Sequence, residues 1–179
     1  MVWITGLAES GKTTVSRRLI NRLTRVGIKP VHLDGNAVRE AVGTEGHAFD
    51  RTGRMSMAFT YARFSRMLSD QGHVVVCSTI SLFHEVHSWN RRHIRNYLEV
   101  LLDVPMQELK RRDSKGVYAR AKEGEVVGVD LDPEFPVAPD LRIVNFSGTT
   151  PDDAAERIYR ACKHDSSTGS SHRHEKGRI

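Results

Sequence analysis

The sequence predicts a doubly wound α/β domain, a mostly parallel five-stranded sheet with helices on both faces, and three observations carry that prediction. Short apolar or β-branched runs alternate with longer stretches of helical periodicity, as strands do when helical crossovers return them to one sheet. A glycine-bearing octet, Gly6-Leu7-Ala8-Glu9-Ser10-Gly11-Lys12-Thr13, stands where the first run hands over to the first helical pattern. The 179 residues, 39% of them hydrophobic, suffice for one well-buried core and not for two ordinary domains.

The elements follow in order. Val2–Thr5 is the first strand, and Val15, Leu19 and Leu23 mark the inner face of the helix after the octet. Val31–Asp34 is the second strand. Met55, Ala58, Phe59, Ala62 and Leu68 then recur at helical spacing while Arg54, Arg63 and Arg66 fall elsewhere on the wheel, which describes an amphipathic packing helix and not a cofactor box. Val74–Ser78, Tyr97–Asp103 and Leu141–Asn145 complete the sheet. Between Asp113 and Asp140 the pattern breaks into charged, Gly- and Pro-containing sequence, too long for a plain connection and expected to form a mobile lid. A last helix starts near Pro151, where Asp152 and Asp153 suit the positive helix end. The Ser-, Gly- and His-rich stretch 164–179 is expected to be a disordered tail, leaving 1–163 as the folded domain.

Composition narrows the partners. Lys and Arg number 27 against 22 Asp and Glu, for a net charge of +5, and no basic stripe with interleaved aromatics appears, which argues against nucleic-acid binding. The two cysteines, Cys77 and Cys162, have no metal-type spacing and suit a reduced, cytoplasmic setting. No apolar run approaches the ~20 residues that cross a bilayer, and Met1–Thr5 is too short and uncharged for a signal peptide. His172 and His174 have no acid or cysteine at ligand spacing. His84, His87 and His93 share one helical region, His84 and His87 at a spacing that puts them on one solvated or substrate-facing side.

The octet is a complete phosphate-binding loop. Its glycines let several backbone N–H groups point inward, and the following helix adds its positive end. Lys12 can reach the β- and γ-phosphates, and the Thr13 hydroxyl can take a coordination place on a Mg²⁺ that bridges them. Gly6, Leu7, Ala8, Glu9, Ser10, Gly11, Lys12, Thr13 and Thr14 are thus the candidate ATP ligands, and Thr13 the candidate metal ligand. Glu9 must point outward to avoid repelling the γ-phosphate.

Further along stand Leu33-Asp34-Gly35-Asn36-Ala37-Val38-Arg39, Asp50-Arg51, Thr79-Ile80-Ser81-Leu82-Phe83 and Arg112-Asp113-Ser114-Lys115-Gly116-Val117-Tyr118. Ala121-Lys122-Glu123-Gly124-Glu125 and Ala138-Pro139-Asp140-Leu141 follow. In order and spacing this series resembles the adenylylsulfate kinases over nearly all of the chain except its tail. The resemblance implies a P-loop kinase, often dimeric, that uses ATP with Mg²⁺ to phosphorylate a nucleotide 3′-hydroxyl. In sulfate assimilation that reaction converts adenylyl sulfate to 3′-phosphoadenylyl sulfate. Carried over by position, Lys12, Asp34 and Asn36 are the catalytic candidates. Arg39, Arg51 and Arg54 line the acceptor side, Ile80 and Ser81 form the turn beside the substrate, and Lys115, Gly116, Val117 and Tyr118 belong to the lid with Arg112 as its cation.

Departures from the family pattern cluster on the acceptor side. Asn36 replaces the second acid of Asp-Gly-Asp, Arg54 replaces an asparagine, Leu82 replaces a proline, and Val127-Gly128-Val129 replaces an aromatic lid element. Losing a stacking aromatic weakens the grip on a base by about 1–3 kcal/mol. The stretch from Ser81 to Arg91 and Val127-Gly128-Val129-Asp130 resemble a branch found with surface-polysaccharide genes, which includes cytidine diphosphoramidate kinase. Three readings stand open at this point: an adenylyl sulfate kinase, the same chemistry on a CDP-linked acceptor, and a nucleotide-binding regulatory protein without turnover.

Overall fold

The computed structural model describes residues 1–43, 50–119 and 126–168. Five strands, β1 (Val2–Thr5), β2 (Val31–Asp34), β3 (Val75–Ser78), β4 (Leu98–Asp103) and β5 (Leu141–Val144), form one parallel sheet in the order β2-β3-β1-β4-β5. Among the described residues six helices join or follow them: α1 (Lys12–Thr24), α2 (Gly35–Val42), α3 (Arg51–Asp70), α4 (His84–His93), α5 (Met106–Arg112) and α6 (Pro151–Thr168). The expected three-layer architecture is the observed one.

Alternation along the central strand decides the two cores. Val2 and Ile4 of β1 face one way and meet Val15, Leu19 and Leu23 of α1 and Ala154, Ala155 and Ile158 of α6. Trp3 faces the other way, onto Met57, Ala58, Tyr61 and Ala62 of α3 and Val86 of α4. Because α1 leaves β1 on one face and α4 leaves β3 on the other, their loops part above the carboxyl ends of adjacent strands, where α/β sheets hold ligands. A third apolar cluster, Leu7, Leu82, Val104 and Leu109, lies at that end of the sheet.

Local differences from the sequence expectation have physical causes. The inner stripe of α3 is Met57, Ala58, Tyr61, Ala62 and Ser65, with Phe59 only partly buried, so Met55 is not its centre. Tyr61 turns the register, because its hydroxyl reaches the Gly35 carbonyl at 2.9 Å. His87 is buried while His84 stays exposed, so the two do not share a solvated face. The helices α2 and α5, of 8 and 7 residues, are too short for apolar periodicity to reveal. Helix α6 continues through Thr168, past the expected boundary at 163; the rest of the expected tail lies outside the described residues, as does the Ala121–Glu125 motif.

Candidate active site

The loop between β1 and α1 is shaped from two directions. Within it, the Ser10 N–H donates to the Leu7 carbonyl at 3.2 Å, and Glu9 adopts a left-handed φ of 56°. From the end of β5, the buried Asn145 side chain donates to the Ser10 carbonyl at 2.7 Å. A Cβ at Gly11, whose φ is 91°, would stand 2.6 Å from Asn145 Nδ2, so only glycine fits there. Gly11 is also the N-cap of α1 and offers no side-chain cap, which leaves the first amides of the helix for an anion.

Beside the loop runs a polar chain of side chains centred on Asp34. Thr13 Oγ1 donates to Asp34 Oδ2 at 2.9 Å, and Ser78 Oγ donates to the same oxygen at 3.3 Å. Asp34 Oδ1 accepts the Asn36 N–H at 3.1 Å, capping α2. Desolvation works against the Asp34 carboxylate. The Thr13 hydroxyl, the Asn36 and Ala37 amides and nearby His32 outweigh it and hold the carboxyl below its ordinary value. His32 Nε2 lies 3.1 Å from Ser16 Oγ and 3.2 Å from Ser78 Oγ, and its own pKa is lowered, chiefly by burial. Lys12 Nζ folds back onto the Leu7 carbonyl at 2.6 Å, and burial brings its pKa down to about 8 against the opposing pull of Glu9 and Asp34.

The loop and this chain form one wall of a cleft of about 1170 Å³. Arg39, Arg51 and Arg54 also line this cleft, together with the turn 79–83, and Asn36 lines it beside Asp34. Asp50, the N-cap of α3, accepts the Gly53 N–H at 2.8 Å and so starts the helix that presents Arg51 and Arg54. The turn beside them is fixed atom by atom. Thr5 Oγ1 donates to the Ile80 carbonyl, the Thr79 and Ser81 hydroxyls are 2.9 Å apart, and the Glu134 N–H donates to the Leu82 carbonyl at 3.1 Å. Ser81 has a left-handed φ of 30°, and His87 Nε2–H donates to its carbonyl at 3.0 Å. Burial pushes the His87 imidazole down to about 4, so at neutral pH it is an uncharged donor.

The third wall is the described part of the expected lid. Asp113 accepts the N–H groups of Val117, Tyr118 and Ala119 at 2.6, 2.9 and 2.8 Å, which folds the segment into a tight turn. Tyr118 Oη donates to the Ala8 carbonyl at 3.0 Å, and Ser114 Oγ donates to Glu9 Oε2 at 3.2 Å. Glu9 therefore bonds to the base of the expected lid and lines the cleft, where the sequence reading expected it to point outward. Gly128, with φ 90°, passes so close to Leu7 that a Cβ would meet its methyl groups at 3.0 and 3.1 Å. Arg112 closes α5 with one bond to Glu108 Oε1 at 2.8 Å and one to the Asn145 carbonyl at 2.9 Å.

Comparison with known proteins fits this geometry. The model of the adenylylsulphate kinase family matches residues 1–144. The chain belongs to that family. It is 40% identical over 163 residues to a cytidine diphosphoramidate kinase of Campylobacter jejuni, covering 89% of this chain and 94% of the relative. It is 36% identical over 143 residues to an adenylyl-sulfate kinase of a Picosynechococcus species, covering 78% of this chain and 80% of that one. The solved Mycobacterium tuberculosis APS kinase CysC, in complex with AMPPNP and APS, superposes with a TM-score of 0.81 at 30% identity, covering 90% of this chain and 96% of that structure. The protein is thus an ATP-using kinase of the adenylylsulfate kinase family. No helix among the described residues is long and apolar enough to cross a membrane.

Within this kinase the structure brings most of the sequence candidates to one place. Ala8, Glu9, Gly11, Lys12, Thr13 and Thr14 line the cleft, as do Asp34, Asn36, Arg39, Arg51, Arg54, Ile80, Ser81, Arg112, Lys115 and Val117. Gly6, Leu7 and Ser10 are buried and shape the loop from within, while Gly116 takes the turn position at φ 65° and Tyr118 holds the loop carbonyl. Sequence reasoning missed Arg17, Tyr61, Ser78, Glu134 and Asn145, all of which line the cleft. Only Ser78 and Asn145, the last residues of expected strands that end at the site, carried a usable signal.

Proposed function

We propose that this protein transfers the γ-phosphoryl group of ATP, bound with Mg²⁺, to the 3′-hydroxyl of a nucleotide across the cleft. The observation that carries this reading is the gathering, in one cleft of about 1170 Å³, of the phosphate loop with Arg39, Arg51, Arg54 and the fixed Ile80–Ser81 turn. Lys12 would leave the Leu7 carbonyl for the phosphates. The Thr13 hydroxyl fits a metal ligand, because its proton is already committed to Asp34 and its lone pairs remain open. When bound, Mg²⁺ supplies neutralisation of the charge on the β- and γ-oxygens. Asp34, whose carboxylate accepts the Thr13 hydroxyl of the loop, would receive or orient the acceptor proton, which in a loose transition state leaves late. Asn36 would position the acceptor without taking its proton.

Residues 113–140 would close over the reaction as a lid of the 1–163 kinase domain, with Arg112, Lys115, Gly116, Val117 and Tyr118 at its first hinge. Its far end is held by Asp140, which accepts the Glu99 N–H at 2.7 Å and pairs with Arg91 at 3.1 Å. Excluding water there protects ATP from hydrolysis. A homodimer is proposed on the family resemblance, and light scattering reads it directly. A reduced cytoplasm suits the free thiols of Cys77 and Cys162.

Adenylyl sulfate is the acceptor to which the family as a whole points. A CDP-linked acceptor such as cytidine diphosphoramidate is the second reading, and the acceptor wall favours it: Arg54, Leu82 and the valine-rich lid depart from the family together. The 40% identity to a cytidine diphosphoramidate kinase, over 94% of that relative, supports the same choice. Incubation with MgATP and each acceptor in turn, following ADP and locating the new phosphate by ³¹P NMR, tests both. No ADP above background with either acceptor would leave the regulatory reading in place.

A further inference from the structure

Between α1 and the β2–β3 edge of the sheet lies a polar cluster with no part yet in the transfer step. The period of a strand puts His32 and Asp34 of β2 on one face, and Ser78 of β3 pairs with Asp34 in the parallel register. Ser16 meets them from α1, within hydrogen-bond reach of both His32 and Ser78. The surroundings are apolar, since Val15, Leu19 and Val76 belong to the core on this side of the sheet. Ser16 and Ser78 are themselves buried. Polar groups in such a place cost stability unless they are bonded, so the direction of each bond carries information.

The protons of the cluster can be counted. The Ser16 hydroxyl donates to the Thr13 carbonyl at 3.0 Å, and the Ser78 hydroxyl donates to Asp34 Oδ2 at 3.3 Å. Each hydroxyl has one proton, and a carbonyl or an ionised carboxylate has none to give back. His32 Nε2 lies 3.1 Å from Ser16 Oγ and 3.2 Å from Ser78 Oγ, so with both hydroxyl protons committed it meets those oxygens as a donor. Burial lowers the imidazole pKa against the pull of Asp34, and Arg17 adds to the lowering, so the ring is neutral at pH 7 and its one proton sits on Nε2. A directed chain results, from His32 Nε2–H to Ser78 Oγ and from Ser78 Oγ–H to Asp34 Oδ2, where the Thr13 hydroxyl also arrives at 2.9 Å. Thr13, Asp34 and Ser78 line the cleft, whereas His32 is not part of its wall.

We propose that His32 is a positioning residue of phosphoryl transfer: by donating to Ser78 it commits the Ser78 proton to Asp34 and so fixes that carboxylate beside Thr13. This rests on the reading of the protein as a nucleotide 3′-hydroxyl kinase with Asp34 at the acceptor proton. The test measures kcat and KM with MgATP and whichever of adenylyl sulfate and cytidine diphosphoramidate wild type phosphorylates, for wild type, His32→Leu, His32→Gln, Ser78→Ala and the double variant His32→Leu with Ser78→Ala. His32→Leu frees the Ser78 hydroxyl to turn away from Asp34 and is expected to lower kcat about tenfold, the scale of one hydrogen bond. KM for ATP should stay within about twofold, because no ground-state contact is removed. His32→Gln, whose amide N–H reaches the place of Nε2, should bring kcat back to within about threefold of wild type. Added to Ser78→Ala, the His32→Leu change should cost no more than about twofold further, since the two residues act in series. An unmoved kcat in His32→Leu, a rise in KM in place of the loss in kcat, no recovery with glutamine, or independent losses in the double variant would overturn the proposal. Long-range ¹H–¹⁵N NMR of wild type, with His32→Gln identifying the signal, reads the tautomer without turnover. Nε2–H is expected, and a proton on Nδ1 alone would overturn the proposal even where a variant fails to fold. Wild type that transfers to no acceptor refutes the kinase reading, and the tautomer then still decides whether His32 directs the Ser78 proton.

Discussion

Replacing Asp34 by asparagine should separate folding from catalysis, because the two carboxylate oxygens do different work. Oδ1 caps α2 through the Asn36 N–H at 3.1 Å, and asparagine caps helices as well as aspartate does. Oδ2 accepts Thr13 Oγ1 at 2.9 Å and Ser78 Oγ at 3.3 Å, and an amide nitrogen there would donate instead. Each hydroxyl bond to a charged acceptor is worth about 1.5–3 kcal/mol. Both hydroxyls can rotate to accept from the amide and recover most of it, so a net loss of about 1 kcal/mol is expected, about 2–4 °C in Tm for a chain of this size. The chemistry fares worse. Thr13 would then turn its proton toward the metal position and the carboxylate beside the acceptor would be gone, which should lower kcat by about 10²–10⁴-fold. Coupled ADP-release kinetics with a thermal melt on the same preparation measure both. A kcat within about threefold of wild type, a barrier change under about 0.7 kcal/mol, would refute the assignment. The pH signature has a definite sign: a carboxyl held low in the fold stabilises above its unfolded pKa and loses that contribution as pH falls through the folded value. Asp34→Asn should therefore flatten the acid limb of the stability profile.

Three further outcomes are expected. With Lys12 brought to about 8 in the empty site, and phosphates raising it on binding, ATP affinity should be level below about pH 8. Above that it should fall by up to about tenfold per pH unit, as the ammonium must first regain its proton; calorimetry across that range measures it, and Lys12→Ala should remove the dependence and abolish transfer. Asn36→Asp places an acid in a first turn that has none, which should stabilise by about 0.3–1 kcal/mol through the helix dipole and raise turnover; an unchanged kcat rejects the argument that the missing acid limits the rate. Tyr118→Phe deletes the bond to the Ala8 carbonyl and should weaken ATP by about 0.5–1.5 kcal/mol, read as its dissociation constant, whereas an unchanged value would show that this contact does not hold the loop.

Much of this kinase was legible because it is local. The octet from Gly6 to Thr13 announces its conformation through glycine positions and its chemistry through Lys12 and Thr13, all within one turn of backbone. The sheet was equally legible, since buried parallel strands such as β1 and β3 must be short apolar runs between helices. The α3 stripe was misplaced toward Met55 because a wheel cannot anticipate that Tyr61 would bury its ring and spend its hydroxyl on Gly35.

What local pattern could not supply are contacts between residues far apart in the chain. Asn145 holds Ser10 from 135 residues away, Tyr118 reaches Ala8 from 110, and Glu134 meets Arg51 across 83. Each partner is an ordinary polar residue until the sheet brings β5 beside β4 and the segment at Glu134 and Phe135 meets the start of α4. His87 shows the same limit: its helix is visible in the sequence, but only packing buries the imidazole and aims Nε2 at the Ser81 carbonyl. Phosphate binding at the loop follows from backbone conformation, which neighbouring residues set. The proposed acceptor site depends on charges that distant segments bring to one cleft, and only the folded chain brings those charges together.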